Sequence, residues 1–421
     1  MDEYGQYFNT EALVDALIKV RMRTAMRRHN AHFLWEISAA APEPAKDIPG
    51  VVDHLLPPRR QWRRPHIRSR KGMGTEDVYR YALKRTVMGY LGTGKINACD
   101  WGRKLLEFME RVRAAAKADC HTIGSPDVFL VEKDKEARLF RPIVVYQDLV
   151  DRVLIGQTAK YLRDCFDPHF LNCSYAFRRH GRSSHHKAVE DICEYGKAFS
   201  GKLLYVAECD IAKFFDSVSH ATAMECLQVA LATAKDDGVV VHPSAVSVFK
   251  AYLASYSFAD TALPSGNAWL KRHECEGTID QLSEEETRKL RRRASSDRFG
   301  IPQGGALSTI IANLIMHRAD LSVCGESKDS DLFYARFCDD MILIHPDEKK
   351  CSDAMSRYLA ALKGLKLLAS PPVTVSRYDR RYYACKSKKP FKWGPCEKGK
   401  GYVPWISFLG YQIRFDGTLR I

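Results

Sequence analysis

Two acidic segments that lie far apart in the chain constrain its fold more than any other feature of the sequence. The first is CDIAKFFDS at positions 209–217, and the second is RFCDDMILI at positions 336–344. In each segment, aspartate adjoins a run of apolar residues that predicts a buried strand. Carboxylate oxygens are the ligands that hard cations such as Mg²⁺ prefer. Two neighbouring strands that brought these aspartates together would therefore create a metal site.

The second segment is typical of a β-hairpin. Residues 332–336 and 341–345 predict two strands, and Cys338-Asp339-Asp340 occupies the turn between them, where aspartate is favoured. Residues 202–210 predict a further buried strand that ends at the aspartate of the first segment. Taken alone, the acidic turn could be only a turn, and the aspartate after the strand could be only the N-cap of a helix.

A third segment, GIPQGGALS at positions 300–308, stands between the two acidic ones. With all three in this order, the sequence favours convergent aspartates over two unrelated turns. Two Mg²⁺ ions held about 3.5–4 Å apart stabilise the attacking and leaving oxygens of an in-line phosphoryl transfer, the reaction that joins a nucleotide to a growing 3′ end. The sequence therefore predicts a nucleic-acid polymerase that uses two Mg²⁺ ions.

The composition agrees with this prediction. The chain has 421 residues, enough for two or three subdomains, and a formal net charge of +14 at pH 7, which favours a polyanionic partner. Its 13 cysteines lack paired zinc-finger spacing and predict free thiols, so we expect the protein in the cytoplasm. The sequence shows no signal-peptide pattern and no apolar run of membrane-spanning length, so no membrane partner is expected.

The first 125 residues are predicted to be mostly helical, with amphipathic helices over 11–28, 76–91 and 100–118. A Pro-rich stretch after the first of these leads into a strongly basic linker at 57–72. Side chains in this linker could grip phosphates and stack on the unpaired bases of RNA. These RNA-binding candidates are Arg59, Arg60, Trp62, Arg63 and Arg64. The alternative is a solvated linker that contacts nothing.

Together, the two acidic segments and the Pro-Gln-Gly-Gly segment resemble the palm motifs of reverse transcriptases. Three further blocks agree, in the order expected for that family. They are Arg141-Pro142-Ile143, SYAFR at 174–178 followed by GRS at 181–183, and FLGY at 408–411. The resemblance runs from about position 128 onwards. It implies an α+β right-hand polymerase fold, with fingers and with a palm made of an antiparallel sheet plus helices.

The resemblance also implies how the chain is divided. We expect a helical N-terminal region at 1–125, fingers at 126–200, a palm at 201–380, and a primer-grip hairpin with the C-terminal end at 381–421. A charged stretch predicts an insertion in the palm at about 260–298. The thumb is expected to be reduced or absent, because the sequence stops shortly after the primer-grip block.

Transferred residue by residue, the resemblance implies a two-metal centre. Its residues are Asp210, Ile211, Asp339 and Asp340. The three carboxylates would be catalytic and would bind the ions, and Ile211 would contribute its backbone carbonyl. Phe215 holds the position of an aromatic gate that excludes a ribose 2′-OH and so favours deoxynucleotides. Phe214 is the alternative gate, since one of these two rings is expected to lie in the core.

The resemblance implies further contacts with nucleotide and nucleic acid. Arg141 would clamp the incoming triphosphate, because a guanidinium fork matches phosphate oxygens. Either Lys133 or Lys135 would be the fingertip lysine, unless this charged hairpin is merely solvated. Gln303 would support the nascent base pair. The residues expected at the template and primer are Gly304, Gly305, Arg178, Arg182, Phe408, Leu409 and Gly410. The alternative for the two adjacent glycines is a plain helix start.

Among reverse transcriptases, the sequence resembles bacterial stand-alone enzymes of the group II intron-like lineage, including those associated with antiphage defence. This implies an enzyme that copies a structured non-coding RNA into cDNA from deoxynucleoside triphosphates. Two alternatives stay open: template-independent or protein-primed DNA synthesis on the same palm, and a non-catalytic RNA-binding scaffold. The intact aspartates favour an enzyme over a scaffold, because a buried carboxylate cluster is costly to keep without a metal.

Overall fold

The computed structural model describes most of the chain. The residues described are 3–37, 50–66, 72–134, 136, 138–179, 184–199, 201–262, 278–280, 283–293, 298–325, 329–375, 382, 385–395 and 402–420. The chain divides into two compact units. The first comprises Met1–Gly124, Tyr146–Tyr161 and His242–Ala251, and the second comprises Ser125–Val145, Leu162–Val241 and Tyr252–Ile421.

Helices and strands both contribute to the fold, as the α+β prediction requires. The helices in chain order are α1 (Glu3–Gln6), α2 (Thr10–Ile37), α3 (Thr75–Gly92), α4 (Asp100–Lys117), α5 (Leu149–Phe166), α6 (His185–Ala198), α7 (Phe214–Ser217), α8 (His220–Asp236), α9 (Pro243–Ala254), α10 (Glu284–Arg293), α11 (Ala306–Asp320) and α12 (Glu348–Gly364). The strands in chain order are β1 (Asp127–Asp134), β2 (Leu139–Val145), β3 (Leu204–Cys209), β4 (Thr278–Ile279), β5 (Phe333–Phe337), β6 (Asp340–His345), β7 (Lys388–Trp393), β8 (Trp405–Phe408), β9 (Tyr411–Arg414) and β10 (Leu419–Arg420).

The first unit is helical, and the three helices predicted for the N-terminal region are confirmed as α2, α3 and α4. Helix α4 shows why they form. Leu105, Met109 and Val112 recur at helical spacing and are buried. Asp100 in the first turn and Lys117 in the last turn complement the helix dipole. Within the described ranges, no helix combines the length and apolar character needed to cross a membrane.

The second unit contains a four-stranded antiparallel sheet in the order β5-β6-β3-β7. Its central strand β3 and the hairpin strands β5 and β6 lie within two residues of the strands predicted from the sequence. Leu204, Val206 and Ala207 of β3 are all buried, although they do not alternate along the strand. Such a continuous buried run is typical of a strand that is covered on both faces.

Side chains of this sheet alternate between its two faces. Ala335, Ile342 and Ile344 belong to one core cluster, which also contains residues of α6, β8 and β9. The neighbouring Tyr334 contacts the ring of Tyr358 in α12, with 6.2 Å between ring centroids. Helix α12 also packs on β3 and β6. The sheet is therefore buried between α12 on one face and α6 with the β8–β9 hairpin on the other.

A second ribbon corresponds to the predicted fingers. Strand β1 pairs with β2 in antiparallel fashion, and the short β4 joins β2 in parallel. β4 comes from the predicted insertion at about 260–298, parts of which lie outside the described residues. Val128 and Leu130 are buried, whereas the alternate residues Phe129 and Val131 are exposed. One face of the ribbon is therefore open to solvent.

The predicted primer-grip hairpin is formed by β8 and β9, to which β10 adds a third strand. Phe408 pairs with Tyr411, so the turn consists of Leu409 and Gly410. Both turn residues have positive φ, 53° and 83°, as the tight hairpin turn that matches strand twist requires. The boundaries proposed for fingers, palm and insertion stay predictions.

Candidate active site

The hairpin of β5 and β6 places two aspartates at its tip. Phe337 pairs with Asp340, which leaves Cys338 and Asp339 in the turn. Cys338 has a φ of 61°, a left-handed conformation that favours glycine. The Nη1 group of Arg336 donates to the Cys338 carbonyl over 3.0 Å. This hydrogen bond holds the turn in its uncommon conformation and so fixes where the two aspartates lie.

Asp210 directly follows β3 and lies beside the hairpin. Cys209 pairs with Met341, so the next position along β3 faces the start of β6, where Asp340 lies. The backbone N–H of Asp210 donates to the Ser387 hydroxyl over 2.9 Å. The Ser370 hydroxyl donates to Asp210 Oδ2 over 3.0 Å. Asp210 is thus fixed by residues from two later segments of the chain.

The three carboxyl groups repel one another. Burial raises the pKa of Asp339, and the charge of Asp210 raises it further. Crowding by surrounding protein, followed by the charges of Asp339 and Asp210, raises the pKa of Asp340 to about 7. Asp340 is exposed at the end of the hairpin, beside the like charges of Asp339 and Asp210. Lys386, with Nζ 3.7 Å from Asp210 Oδ2, offsets only part of this repulsion.

The excess of negative charge around these three carboxyl groups is suited to binding a divalent cation. No group of three His, Cys, Asp or Glu side chains within the described ranges is arranged to hold a metal ion by itself. Mg²⁺ does not need such a cage, because it is usually bound by one or two carboxylates together with water and substrate phosphates. Asp210 and Asp339 could supply these carboxylates. Ile211, buried and bridged to Ala369, could add its carbonyl.

Phe214 and Phe215 have different environments. Phe214 is 2% exposed and belongs to the core. Phe215 is partly exposed and meets Phe214 edge-on, with 5.4 Å between ring centroids. The backbone N–H of Ile301 donates to the Phe215 carbonyl over 2.8 Å. Of the two rings, Phe215 is therefore the one that can meet a ligand, as the spacing from Asp210 indicates.

Gln303 is oriented by the palm. Its side-chain amide donates to Asp216 Oδ1 over 3.2 Å. Its carbonyl accepts from the backbone N–H of Val144 in β2 over 3.5 Å. Asp216 is fully buried, so it gives the Gln303 amide a fixed anchor beside Phe215. The structure thus brings Asp210, Phe215 and Gln303 into one region of the second unit.

The expected triphosphate residues lie on the fingers ribbon. Arg141 is exposed and pairs with Val131, so its side chain shares the open face of the ribbon with exposed Val131. Lys133 forms an ion pair with Asp280, with 2.6 Å between Nζ and Oδ2. Lys135 lies outside the described residues.

Residues 131–372 match the reverse transcriptase (RNA-dependent DNA polymerase) family, and this match covers more than half of the chain. The chain belongs to the reverse transcriptase family. The expected fold class, with palm and fingers, is thereby confirmed. Enzymes of this family are RNA-directed DNA polymerases, which are nucleotidyltransferases, and they generally use divalent metal ions.

Solved telomerase structures show distant similarity. A telomerase from Candida albicans, in complex with a TWJ fragment of telomeric RNA, is 14% identical with a TM-score of 0.40, and the match covers 72% of this chain and 47% of that one. A telomerase from Candida tropicalis, truncated from its C-terminal domain, is 12% identical with a TM-score of 0.42, covering 71% and 55%. This chain thus spans about half the length of these telomerases. No curated protein sequence matches it.

Arg178, expected at the template or primer of this reverse transcriptase, has a different role. Its Nε donates to Asp167 Oδ1 over 2.6 Å. Its other donors bond to backbone carbonyls of Asp167, Phe170, Leu171 and Ser174. All five guanidinium N–H groups are thereby used inside the protein. The structure corrects this expectation: Arg178 fastens its own loop. Arg182 lies outside the described residues.

The two adjacent glycines serve different purposes. Gly304 has a φ of 83°, and no atom would contact a Cβ there. A Cβ on Gly305 would lie 1.9 Å from the Tyr252 hydroxyl, so this glycine is required by internal packing and starts α11. Only Gly304 therefore keeps an open approach of the kind expected for nucleic acid. In the hairpin predicted to be the primer grip, Phe408 belongs to the core cluster, whereas Leu409 and Gly410 form the turn.

The basic linker is partly folded in this reverse transcriptase. Trp62 is 8% exposed, and its indole N–H donates to the Pro57 carbonyl over 2.8 Å. It therefore cannot stack on a base, which corrects the expectation for this residue. Arg59 and Arg63 are exposed and lie over the rings of Tyr79 and Tyr90. The two remaining linker arginines, Arg60 and Arg64, are also exposed, and all four stay candidates for RNA contact.

Several supporting residues were missed by sequence reasoning. Glu208 and Lys388 form a buried ion pair, with 2.5 Å between Oε2 and Nζ, and join β3 to β7 beside Asp210. Asp320 pairs with Arg336, whose strand β5 leads into the hairpin turn that carries Asp339 and Asp340. The sequence signal for the two buried ion pairs was a charged residue inside a predicted buried strand, Glu208 in one case and Arg336 in the other. Such a residue indicates that a partner of opposite charge is needed but does not identify that partner. Lys213, which also forms an ion pair with Asp280, was likewise missed.

Proposed function

We propose that this chain is an RNA-directed DNA polymerase that adds deoxynucleotides to a primer 3′ end in the presence of two Mg²⁺ ions. The observation that carries the proposal is the convergence of Asp210 with the Asp339-Asp340 turn, where burial by surrounding protein and, after it, the charges of neighbouring carboxylates raise the pKa values of both turn carboxyls. Such a cluster is stabilised by the cations that phosphoryl transfer requires. Membership of the reverse transcriptase family supports the same reaction.

The side chains of the site have distinct roles in this proposal. Asp210 and Asp339 would hold the Mg²⁺ ions, which when bound stabilise charge on the attacking and leaving oxygens. Phe215, partly exposed beside buried Phe214, would contact the sugar and exclude a 2′-OH. Gln303, held by Asp216, would contact the nascent base pair. Arg141 and Lys133 on the fingers ribbon would attract the triphosphate.

A primer-extension assay tests the reaction. An RNA template with an annealed DNA primer, deoxynucleotides and Mg²⁺ should give extended DNA with the native chain. Asp339→Asn and Asp210→Asn should lower the rate by at least about 10³-fold, since a missing ligand removes metal-ion stabilisation of the transition state. Asp353→Asn is the matched control, because Asp353 is exposed on α12. Near-native extension by either site variant would refute the assignment.

The proposed template is a structured non-coding RNA, and the proposed setting is antiphage defence in a bacterial cytoplasm. The resemblance of the motif blocks to stand-alone bacterial enzymes supports the defence role. The net charge of +14 and the exposed arginines of the basic linker support an RNA partner. The cysteines within the described part of the chain are free thiols, which suits a reducing compartment.

Sequencing tests the template. RNA and DNA that copurify with the active chain should include a DNA complementary to one abundant RNA, and Asp339→Asn should retain the RNA but lack the DNA. DNA with no complementary RNA would indicate untemplated or protein-primed synthesis instead. Phage plating on cells that carry the native chain or Asp339→Asn tests the defence role, with protection expected only from the native chain. Equal phage plating efficiency on cells with the native chain and on cells with Asp339→Asn would refute the defence role.

A further inference from the structure

Two lysines of the second unit converge on a single carboxylate. Lys133 Nζ lies 2.6 Å from Asp280 Oδ2. Lys213 forms an ion pair with the other oxygen, Oδ1. The Asp280 side chain is only 13% exposed in this position. Each oxygen thus receives one ammonium group, which is also how two lysines bind neighbouring oxygens of a phosphate chain.

The three residues come from separate elements. Lys133 lies near the end of β1 in the fingers ribbon, and Lys213 follows the catalytic Asp210 by three positions. Asp280 directly follows β4, which pairs with Leu139 and Phe140 of β2. Its own backbone N–H donates to the Phe140 carbonyl. Strand β4 belongs to the fingers ribbon and not to the four-stranded palm sheet, so Asp280 can leave the lysines without breaking a hydrogen bond of the palm sheet.

The lysines are placed for a triphosphate. Lys213 is the N-cap of α7 and precedes Phe214 and the proposed sugar-contacting Phe215. Asp210, the proposed metal ligand, precedes Lys213 by three residues and forms an ion pair with Lys386. A nucleotide with its sugar at Phe215 and its α-phosphate near Asp210 would extend its remaining phosphates toward the fingers. Lys133 and Lys213 would then lie on that path.

We infer that Lys133 and Lys213 form a binding site for the polyphosphate tail of the incoming nucleotide, and that Asp280 occupies this site as an internal competitor when no nucleotide is bound. The inference rests on the proposed polymerase function for the identity of the ligand. It adds Lys213 as a nucleotide-binding residue and gives the palm insertion a role, because its carboxylate stands in for a phosphate. A nucleotide must displace Asp280 from the two lysines. The apparent affinity for the nucleotide is therefore reduced in proportion to the fraction of molecules in which Asp280 has left them.

Inorganic tripolyphosphate is the probe that isolates this site, measured by calorimetric titration of the full chain in Mg²⁺ without nucleic acid. Asp280→Asn removes the competing charge and keeps the side-chain size. It should tighten binding roughly two- to tenfold, the range expected for one or two partly exposed ion pairs. Lys133→Gln and Lys213→Gln should weaken binding. Glu285→Gln is the matched control, because Glu285 lies in the same insertion but pairs with Lys289 on exposed α10.

Asp280→Glu tests whether the charge or the fold matters. It retains a carboxylate and should bind tripolyphosphate about as weakly as the native chain. Native or weaker binding by a folded Asp280→Asn variant, with an unchanged melting temperature, would overturn the inference. So would tightening of the same size in Asp280→Glu, because that would show that the aspartate acts through packing rather than charge.

Tripolyphosphate binding does not depend on catalysis, so the two proposals fail separately. If the native chain extends primers and Asp280→Asn leaves both tripolyphosphate binding and the KM for deoxynucleotides unchanged, only the internal competitor is wrong. If the native chain extends no primer but Asp280→Asn tightens tripolyphosphate binding, the anion site stands and the polymerase proposal fails. If both hold, Asp280→Asn should lower the KM by a similar two- to tenfold factor.

Discussion

Asp320 and Arg336 form an ion pair in which both side chains are 0% exposed. Arg336 Nε donates to Asp320 Oδ1 and Nη2 donates to Oδ2, each over 2.7 Å. The same guanidinium also donates to the Ser174 hydroxyl and to the Cys338 carbonyl. One arginine therefore connects α11, the segment around Ser174 and the turn of the candidate active site, and its position decides where Asp339 lies.

Breaking this ion pair should destabilise the protein. Asp320→Asn leaves a buried guanidinium without its counter-charge, which should lower the free energy of unfolding by about 3–5 kcal/mol. Urea denaturation measures the change, with exposed Asp353→Asn as the control. The double variant Asp320→Leu with Arg336→Met should recover much of the stability, because apolar side chains avoid the buried charge. Primer extension by the double variant should nevertheless stay slower than that of the native chain, because no guanidinium then donates to the Cys338 carbonyl. Native activity in the double variant would contradict the positioning role of Arg336.

The sugar gate can be separated from the core by comparing two adjacent rings. Phe215→Ala should raise ribonucleotide incorporation relative to deoxynucleotide incorporation, because it opens space for the 2′-OH. Phe214→Ala is the matched control: its ring is buried, so the variant should lose about 3–5 kcal/mol of stability without a change in sugar preference. Single-nucleotide extension with each sugar measures the preference. If only Phe214→Ala altered it, the gate would be the buried ring and our assignment would be wrong.

The carboxyl cluster predicts a pH-dependent stabilisation by Mg²⁺. The carboxyl of an unfolded aspartate has a pKa of about 3.9, whereas that of Asp340 in the folded chain is about 7. Between these values the unfolded chain loses a proton that the metal-free folded chain keeps. The contribution of this carboxyl to stability is therefore full below the lower pKa and is lost as the pH rises through the higher one. Mg²⁺ favours the ionised carboxylates and should restore stability at high pH.

Melting temperatures measured with and without Mg²⁺ check this expectation. The increase caused by Mg²⁺ should be larger at pH 8 than at pH 5.5, and Asp340→Asn should reduce the pH dependence of the metal-free protein. Asp353→Asn, on exposed α12, should behave like the native chain. A Mg²⁺ effect of equal size at both pH values would show that these carboxyls do not bind the ion.

The basic linker predicts salt-sensitive RNA binding. Arg60→Gln with Arg64→Gln removes two exposed charges and should weaken RNA binding while reducing the slope of log affinity against log salt by about 1.4–1.8, since each phosphate contact contributes roughly 0.7–0.9. Arg80→Gln with Arg103→Gln is the matched control, because these arginines already pair with Glu76 and Asp100. Affinities across a salt series decide the outcome. Identical slopes for both double variants would place the RNA elsewhere.

The amino-acid sequence by itself predicted the carboxylates of the candidate active site. Asp210 at the end of an apolar run and Asp339-Asp340 in a hairpin turn were found because strand patterning and turn preferences act over a few neighbouring residues. The assignment of Phe215 rather than Phe214 also followed from spacing along the chain. The fold class and the strands around the site could be predicted for the same reason.

Tertiary structure alone decided how the charged and aromatic residues are used. Arg178 looks like an arginine that could bind nucleic acid, yet folding surrounds it with carbonyl acceptors from its own loop. Trp62 stands in a basic run, yet its ring is buried. Lys213 meets Asp280 only because a distant strand joins the fingers ribbon. An arginine or lysine has the same donors wherever it occurs, so its role depends on which acceptors long-range contacts bring to it, and no local pattern in the sequence contains that information.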